Sequence, residues 1–393
     1  MKKMLFVNGS YNEIPLIKAA HNLGYYVITS GNDPSGEGHK YANEYIPCDY
    51  SNKEAIYDIA RTEKVDAICS CGNDFGAISA AYASEKLGLP GHDSYENSRV
   101  FHEKDCFKKL VKELDILSPK SYSFTNEEEA MRYIKSAEFP QIIKPVDLGG
   151  GKGISVINKL DEAEIAIKNA FKASKIKHIV IEDYISGKQQ GITVFIKDKK
   201  VVFEYSTDDY SLLNPFMVWV AYGSPAYCYS EYREMLLYEI EKLAKYKNIA
   251  DGFLTIQYIL KDGKPYLLET MRRCLGNCHY KCMTKDTGVD FYEWFIASEA
   301  GLDCSKYIES VRFKNQKSGF LGIYGDKAGK IKSISINEKL QTLLFDSVML
   351  HGPGYELKDY LGDKLGMMFY TLKDSDEEWF NNNMRDMFKV EME

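Results

Sequence analysis

The sequence lacks an excess of basic residues and lacks any long hydrophobic run. Its 50 lysines and arginines are outnumbered by 57 aspartates and glutamates, which gives a formal net charge of -7. Nucleic-acid-binding proteins usually carry a basic patch or stripe, so this composition argues against that function. The first apolar run, residues 4–7, is too short for a signal-peptide core, and no later run has the length of a bilayer span. We expect neither a nucleic-acid partner nor a membrane partner.

Patterns typical of disulfides, metal knuckles and side-chain nucleophiles are also missing. Nine cysteines are scattered through the chain, and an odd number in a long sequence favours free thiols in a reducing cytoplasm. Cys274, Cys278 and Cys282 recur at every fourth position, a spacing that differs from a C-x-x-C zinc knuckle. No Ser-His or Cys-His arrangement indicates nucleophilic catalysis. The scattered cysteines predict a cytoplasmic protein, and the sequence offers no signature of a side-chain nucleophile.

The glycine-rich segment 139–157, FPQIIKPVDLGGGKGISVI, departs from both common nucleotide-binding motifs. A P-loop needs G-x-x-x-x-G-K-[ST], but Val146 occupies its first glycine position and a glycine stands where serine or threonine is required. A Rossmann fingerprint needs G-x-G-x-x-G at the start of a helix, whereas Ile154 breaks that spacing and a strand pattern follows. A strand that delivers Lys144 into a glycine loop, followed by another strand, predicts a third kind of phosphate clamp.

Strands and helices alternate over the first hundred residues, and this rhythm predicts a small parallel sheet with helices on both faces. Gly72-Asn73-Asp74 follows the fourth predicted strand. Because open α/β sheets bind ligands at the carboxyl ends of their strands, Asn73 and Asp74 are candidate substrate residues. Ordinary turn residues are the alternative at this position.

A β-hairpin is predicted around Asp262-Gly263, a strong turn signal. A loop with an odd number of residues would place Gln257 directly opposite Glu269, and alternation would bring Arg273 to the same face. An amide oxygen, a carboxylate and a guanidinium in one cleft suit Mg²⁺ that bridges phosphates. A two-residue loop would separate Gln257 from Glu269 and remove this site. A solvated hairpin face is the simpler alternative.

Two further segments carry candidate binding residues. The apolar strand predicted at 179–182 ends at Glu182, where backbone groups and the carboxylate suit the edge and the exocyclic amine of an adenine. The alternative is a strand that ends at the surface. Lys104 begins an amphipathic helix and faces either a phosphate or water.

Together and in this order, these segments resemble the ATP-grasp superfamily, especially its branch with carbamoyl phosphate synthetase, biotin carboxylase and the carboxylate–amine ligases. The resemblance covers residues 1 to about 310 closely and the remainder loosely. It implies an α/β fold with an α+β catalytic part. The implied domains are an N-terminal open parallel-sheet (pre-ATP-grasp) domain at 1–102, a central ATP-grasp domain at 103–310 with a glycine-rich lid at about 139–185, and a small C-terminal β-rich domain at 311–393.

The resemblance also implies roles for individual residues. Arg273 and Lys144 are assigned to catalysis, with Arg273 stabilising the negative charge that develops during phosphoryl transfer. Gln257 and Glu269 are assigned to Mg²⁺ or Mn²⁺. The residues assigned to ATP are Lys104, Lys144, Gly149, Gly150, Gly151, Gly153, Glu182, Asp183, Tyr184, Ile185 and Gln189.

Two positions depart from the family's motifs. Gln189 stands where the family has a ribose-binding glutamate, so a hydrogen-bonding side chain remains but its charge is lost. Met271 stands where the metal-binding hairpin has asparagine, and a thioether is a poor ligand for a hard cation. One of the two usual metal sites is therefore expected to be weaker.

The reaction implied by the resemblance converts a small carboxylic acid to an acyl phosphate with ATP, after which an amine displaces phosphate. The aromatic-rich segment 205–233 is predicted to line the acceptor pocket, and a flap that packs on the core is an equal alternative. Bicarbonate-dependent carboxylation or carbamoylation, a binding module without catalysis, and a homodimer all stay open. The candidate substrate residues are Trp219, Arg272, Gly276, Asn277, Asn73 and Asp74.

Overall fold

The computed structural model describes residues 1–148, 151–212 and 215–393. Within these ranges the strands form four sheets, whose faces are covered by helices. No helix in the described part of the chain is long and apolar enough to cross a membrane. The architecture is α/β at the N terminus and α+β beyond it, which confirms the fold class predicted from the sequence.

The N-terminal segment is an open sheet of four parallel strands, β1 (Lys3–Phe6), β2 (Tyr26–Thr29), β3 (Glu44–Tyr45) and β4 (Ala67–Cys69). Their order across the sheet is β3-β2-β1-β4. The sheet is followed and covered by helices α1 (Ile14–Asn22), α2 (Lys53–Glu63) and α3 (Asp74–Leu87). Leu5, Ile28 and Ile68 are fully buried, because a parallel sheet between two helical layers has no face toward water.

Helices α4 (Tyr95–His102) and α5 (Lys104–Glu113) connect this sheet to a second one, which is antiparallel. The strands of the second sheet are β5 (Ser121–Phe124), β6 (Gln141–Pro145), β7 (Ser155–Ile157) and β8 (Ile179–Asp183), in the order β5-β8-β6-β7. Helices α6 (Glu127–Ile134) and α7 (Ala163–Ala173) cover one face. Ile143 and Ile181 of the sheet pack there against Ile134 and Ile167.

The largest sheet has eight strands. The first five along the chain are β9 (Lys188–Lys197), β10 (Lys200–Tyr210), β11 (Val220–Tyr222), β12 (Gly252–Lys261) and β13 (Lys264–Met271). Four helices accompany these strands: α8 (Tyr229–Tyr246), α9 (Tyr280–Thr287), α10 (Phe291–Glu299) and α11 (Ser305–Ser310). On one face Val194 packs against Ile240 of α8. On the other face Phe195 and Phe253 pack against Trp294 of α10, with ring centroids 4.9 and 5.1 Å apart.

The C-terminal segment completes the same eight-stranded sheet. Its strands are β14 (Lys317–Ile323), β15 (Gly329–Ile336), β16 (Leu344–Met349), β17 (Glu356–Leu357), β18 (Gly366–Leu372) and β19 (Phe388–Met392), and its helices are α12 (Glu338–Leu343) and α13 (Asp374–Asn383). The large sheet has the order β13-β12-β9-β10-β11-β14-β18-β16, and β17-β15-β19 form a small sheet. The predicted domain limit near residue 310 thus lies between strands of one continuous sheet.

Candidate active site

The β12–β13 hairpin places Gln257 opposite Glu269, but by a route that the sequence pattern does not predict. Asp262 and Gly263 form a two-residue loop with φ angles of 51° and 71°, typical of a type I′ turn. A regular hairpin with this loop would oppose Gln257 to Leu268. Instead the register shifts beside Gln257, which pairs with Glu269 and leaves Leu268 as the extra residue of a β-bulge. The expectation that a two-residue loop would separate the pair is therefore wrong.

Because of the bulge, Gln257, Glu269, Met271 and Arg273 share one face and line one cavity of about 460 Å³, here named the hairpin cavity. Gln189 of the adjacent strand β9 lines it as well. The Glu269 carboxylate makes no hydrogen bond or salt bridge to any described residue. Its oxygens and the Gln257 amide oxygen suit a hard divalent cation, whereas the Met271 sulfur does not.

Arg273 is held in place by Asp74, the first residue of α3. Arg273 Nε lies 2.7 Å from Asp74 Oδ1 and Nη2 lies 3.2 Å from Oδ2, and His102 Nδ1 is 2.9 Å from Oδ1. Burial would raise the pKa of Asp74, but the Arg273 guanidinium and His102 hold it well below its usual range. Asp74 thus orients Arg273 and joins the N-terminal sheet to the hairpin, a role that differs from the predicted substrate contact.

Lys144 and Glu182 meet across the paired strands β6 and β8. Lys144 Nζ donates a hydrogen bond to Glu182 Oε2 at 2.8 Å, and Lys108 Nζ of helix α5 lies 3.9 Å from the same oxygen. Burial would raise the pKa of Glu182, but the two ammonium groups outweigh it and hold the pKa below its usual value. Burial also lowers the pKa of Lys108 to about 8. Sequence reasoning missed Lys108, although it follows Lys104 by four residues on an amphipathic helix, a spacing that puts both on one face.

Lys104 reaches the glycine loop. Its Nζ donates a hydrogen bond to the Leu148 carbonyl at 2.8 Å, and both residues line a second cavity of about 700 Å³. Gly151 and Gly153 have φ angles of 75° and 71°, a region that favours glycine. The predicted ATP contacts Gly149 and Gly150 lie outside the described residues.

The strand end after Glu182 is only partly available to a nucleotide. The Asp183 N–H donates to the Lys120 carbonyl at 3.0 Å, and the Tyr184 N–H donates to the Pro140 carbonyl at 3.1 Å. The backbone N–H groups of Asp183 and Tyr184 therefore already donate hydrogen bonds to other parts of the chain. Ile185 lies at the start of the connection to β9, and its N–H is the next donor along the chain.

Two of the predicted substrate residues are structural. Arg272 points away from the hairpin cavity, with its Nε 2.7 Å from Asp93 Oδ2, and its other N–H groups donate to backbone carbonyls. Trp219 is fully buried and its ring centroid lies 4.8 Å from that of Tyr324. Neither Arg272 nor Trp219 lines the hairpin cavity, and their contact with a substrate stays a prediction.

The remaining substrate candidates lie either at the hairpin cavity or at the N-terminal cap of helix α3. Asn277 lines the hairpin cavity, and Gly276 beside it has open space where a Cβ would stand. Asn73 instead caps α3, since its side-chain oxygen accepts a hydrogen bond from the Gly76 N–H at 2.5 Å. Within the aromatic segment, Phe216 reaches the cavity.

Side chains from both ends of the chain complete the hairpin cavity. Tyr11 comes from the segment after β1, and His351, Asp363 and Lys364 come from connections between the C-terminal strands. The sequence predicts a site for none of them, and His351 in His-Gly-Pro-Gly is typical of a turn. No motif with a defined spacing marks these positions, so their meeting is visible only in the fold.

Parts of this chain are similar in sequence to known proteins. Residues 102–214 match the family described as phosphoribosylglycinamide synthetase, ATP-grasp (A) domain. The carbamoyl phosphate synthase large chain of Thermoanaerobacter sp. (strain X514) is 28% identical over 258 residues, which cover 61% of this chain and 22% of that relative. The chain therefore matches about a fifth of the length of this curated relative.

Solved structures match over nearly the whole chain. Phosphoribosylglycinamide synthetase from Anaerococcus prevotii has a TM-score of 0.78 at 19% identity and covers 100% of both chains. L-amino acid ligase from Bacillus licheniformis has a TM-score of 0.82 at 18% identity, covering 100% of this chain and 99% of that one. The biotin carboxylase domain of 2-oxoglutarate carboxylase from Hydrogenobacter thermophilus, solved with MgADP and bicarbonate, has a TM-score of 0.76 at 22% identity and covers 99% and 90%. At these identities the matches show a shared fold.

We predict that Asp74→Asn lowers the free energy of unfolding by about 1–2 kcal/mol, because Arg273 loses its charged partner. Urea unfolding followed by circular dichroism measures the change. Asp58→Asn is the matched control, since Asp58 pairs only with the exposed Arg61, and we expect a change below about 0.5 kcal/mol. Equal effects of the two substitutions would contradict the role assigned to Asp74.

Proposed function

Because residues 102–214 match an ATP-grasp domain family, we propose that this chain is an ATP-grasp enzyme, an ATP- and Mg²⁺-dependent ligase that activates a small carboxylate as an acyl phosphate and joins it to an amine. The observation that carries the proposal is the common face of Gln257, Glu269 and Arg273 in the hairpin cavity. This face combines oxygen ligands for a divalent cation with a guanidinium for a transferred phosphoryl group. Two structural relatives, an L-amino acid ligase and a phosphoribosylglycinamide synthetase, support this reaction class.

The lid and helix α5 fit a nucleoside triphosphate. Glu182 Oε1 is buried and has no hydrogen-bond partner, which leaves an acceptor for the exocyclic amine of adenine. Lys104 and Lys144 supply positive charge beside the glycine loop. Gln189 faces the hairpin cavity, where its amide keeps a hydrogen-bonding group for the ribose. These residues form the ATP site of the proposal.

Glu269 and Gln257 would hold Mg²⁺ or Mn²⁺ through their oxygens. When bound, the cation neutralises and orients the phosphate oxygens of ATP. Met271 contributes no oxygen where the family's hairpin has asparagine. We therefore assign one strong metal site to the Glu269 carboxylate and a weaker second one.

The proposed chemistry takes two steps. A carboxylate oxygen of the acid attacks the γ-phosphorus of ATP, the bond from that phosphorus to the bridging oxygen breaks, and ADP leaves. The amine nitrogen then attacks the acyl carbon, the bond from that carbon to the phosphate oxygen breaks, and phosphate and a proton leave. Arg273 stabilises negative charge on the transferred group in both steps. Closure of the glycine loop excludes water that would hydrolyse the acyl phosphate.

The proposal extends to organisation and surroundings. It divides the chain at 102 and 310 into a pre-ATP-grasp domain, an ATP-grasp domain with its lid at about 139–185, and a C-terminal β-rich domain. A cytoplasmic location suits the nine free cysteines and the supply of ATP. The partners are a small acid and an amine. A dimer is the state described for the Hydrogenobacter biotin carboxylase domain, and light scattering measures whether this chain shares it.

ADP release from ATP and Mg²⁺, screened across carboxylic acids with and without amines, tests the proposed activity. Turnover that needs both an acid and an amine supports the ligase, and added hydroxylamine should trap the acyl phosphate as a hydroxamate. Turnover with bicarbonate alone would indicate a carboxylating or carbamoylating enzyme instead. ATP binding without turnover under every pair would overturn the proposal in favour of a non-catalytic module.

We predict that Glu269→Ala lowers Mg²⁺-dependent ATP turnover by about 100-fold or more and leaves the fold intact, because the cation loses its carboxylate ligand. ADP release and circular dichroism measure the two properties. Glu309→Ala, at an exposed position of α11, is the control and should keep full turnover. Retained activity of the Glu269 variant would disprove the metal assignment.

Met271→Asn should preserve or raise turnover and increase the apparent affinity for Mg²⁺, since an amide oxygen replaces a sulfur. Turnover titrated with Mg²⁺ measures the effect, and Met271→Leu, which adds no ligand, serves as the comparison. Complete loss of activity in the asparagine variant would show that Met271 has a packing or substrate role.

Lys108→Met should weaken ADP binding by roughly tenfold, because the Glu182 carboxylate loses one of the two cations that keep it ionised. Calorimetric titration with ADP and Mg²⁺ measures the dissociation constant. Lys112→Met alters an exposed lysine of the same helix and should bind ADP like the unmodified protein. An unchanged affinity in the Lys108 variant would remove this lysine from the nucleotide site.

A further inference from the structure

Lys364 brings a cation from the C-terminal segment into the hairpin cavity. It lies two residues before β18, and its ammonium group is largely enclosed by protein. Nζ donates a hydrogen bond to Asn277 Oδ1 at 2.6 Å. Nζ also lies 5.4 Å from the ring centroid of Trp219, within the range of a cation–π contact. Asn277 and Trp219 thus hold the ammonium group at the cavity wall.

The Lys364 ammonium group and the Arg273 guanidinium, the other strong cation of the cavity, differ in their carboxylate partners. Among the described residues, Arg273 and Lys364 are the arginine and lysine side chains that line the hairpin cavity. Arg273 is already paired with Asp74. Lys364 has no carboxylate oxygen within 4.0 Å in the described chain. A charge withdrawn from water without a counter-charge is costly, so this site is prepared for an anion that comes from outside.

The other charged or titratable groups that face the cavity leave the binding of an anion to Lys364. Glu269 comes from β13, and Asp363 and His351 come from the C-terminal connections. Glu269 is the proposed cation ligand, and Asp363, although adjacent in sequence, makes no salt bridge with Lys364. Tyr11, from the N-terminal segment, stays neutral because burial raises the pKa of its hydroxyl.

We propose that Lys364, held by Asn277, binds the carboxylate of the acid substrate beside Arg273. This inference rests on the proposed ligase function and deepens it by naming the residue that selects an anionic acid. In its protonated form the ammonium group binds the substrate and exchanges no proton with it. After phosphoryl transfer the same hydrogen bond reaches the carbonyl oxygen of the acyl phosphate, where it stabilises the negative charge that forms as the amine attacks. Trp219 supports the site through Lys364 and not by touching the substrate.

Equilibrium binding tests the inference without any need for turnover. The probes are the twenty proteinogenic L-amino acids, acetate and succinate, each compared with its amide and titrated calorimetrically with ADP and Mg²⁺ present. We expect the unmodified protein to bind at least one acid and not its amide. Lys364→Met should weaken the binding of that acid by roughly tenfold or more and leave ADP binding unchanged. Lys364→Arg keeps the cation and should recover much of the affinity. Lys358→Met, at an exposed position of the same segment, is the control.

The pH dependence gives a second readout. Burial lowers the pKa of Lys364 to about 8, so the ammonium group loses its proton as the pH rises through that value. Acid affinity should therefore fall above about pH 8 in the unmodified protein. The fall should disappear in Lys364→Arg, because a guanidinium stays charged throughout this range. A fall that persists in the arginine variant would assign the titration to another group of the cavity.

Each result separates this inference from the broader proposal. Acid-dependent turnover in the unmodified protein, with unweakened acid binding in Lys364→Met, would overturn the inference and leave the ligase function intact. Loss of ADP binding together with acid binding in that variant would show a structural role and would also overturn it. If the unmodified protein neither binds nor turns over any acid, the inference and the ligase function both fail.

Discussion

The register of the β12–β13 hairpin is the constraint on which the rest of the site depends. A type I′ turn sets one alternation of side chains, and the bulge at Leu268 changes it before the functional residues begin. Without that change Gln257 and Glu269 would face opposite sides of the sheet. Arg273 follows Glu269 by four residues and faces the same side, so its hydrogen bond to Asp74 also depends on the bulge. One extra residue thus aligns Gln257 and Glu269 with Arg273 and with the N-terminal sheet.

Burial makes each charge of the site depend on a specific partner. Glu182 stays ionised because two lysines outweigh its desolvation, and Asp74 stays ionised because of Arg273 and His102. Among the described residues, Lys364 makes no salt bridge with a carboxylate, and Glu269 interacts with the charges of Arg273 and Lys108 without a salt bridge to either. Asp74 and Glu182 are thus fixed by close charged partners, whereas Glu269 and Lys364 line the hairpin cavity without a salt bridge among the described residues.

The sequence predicts elements and local motifs well, and it fails where distant segments meet. The parallel sheet, the glycine-loop strands and the hairpin turn follow from period and turn chemistry, which act over a few residues. The face of Glu269 could not be derived, because a bulge in mid-strand has no turn-like signature. Trp219 and Arg272 neighbour candidate residues in the chain, but Trp219 is buried beside Tyr324 and Arg272 pairs with Asp93, so neither lines the cavity. Lys364 is nearly a hundred residues beyond Arg273, and only the continuous sheet brings them together.

The C-terminal strands join the central sheet and bring a new segment of the chain to the site. In the proposed function, nucleotide binding and acid binding therefore depend on different segments and can change independently. The residues proposed for ATP lie on the lid, helix α5 and the hairpin, whereas Lys364 lies on the connection before β18 and reaches the hairpin cavity from another segment of the chain. If Lys364 binds the acid as proposed, substitutions in that connection change acid binding while the lid and helix α5 keep their sequence. Under this proposal, divergence toward new acids, in nature or in the laboratory, has a short stretch of chain on which to act.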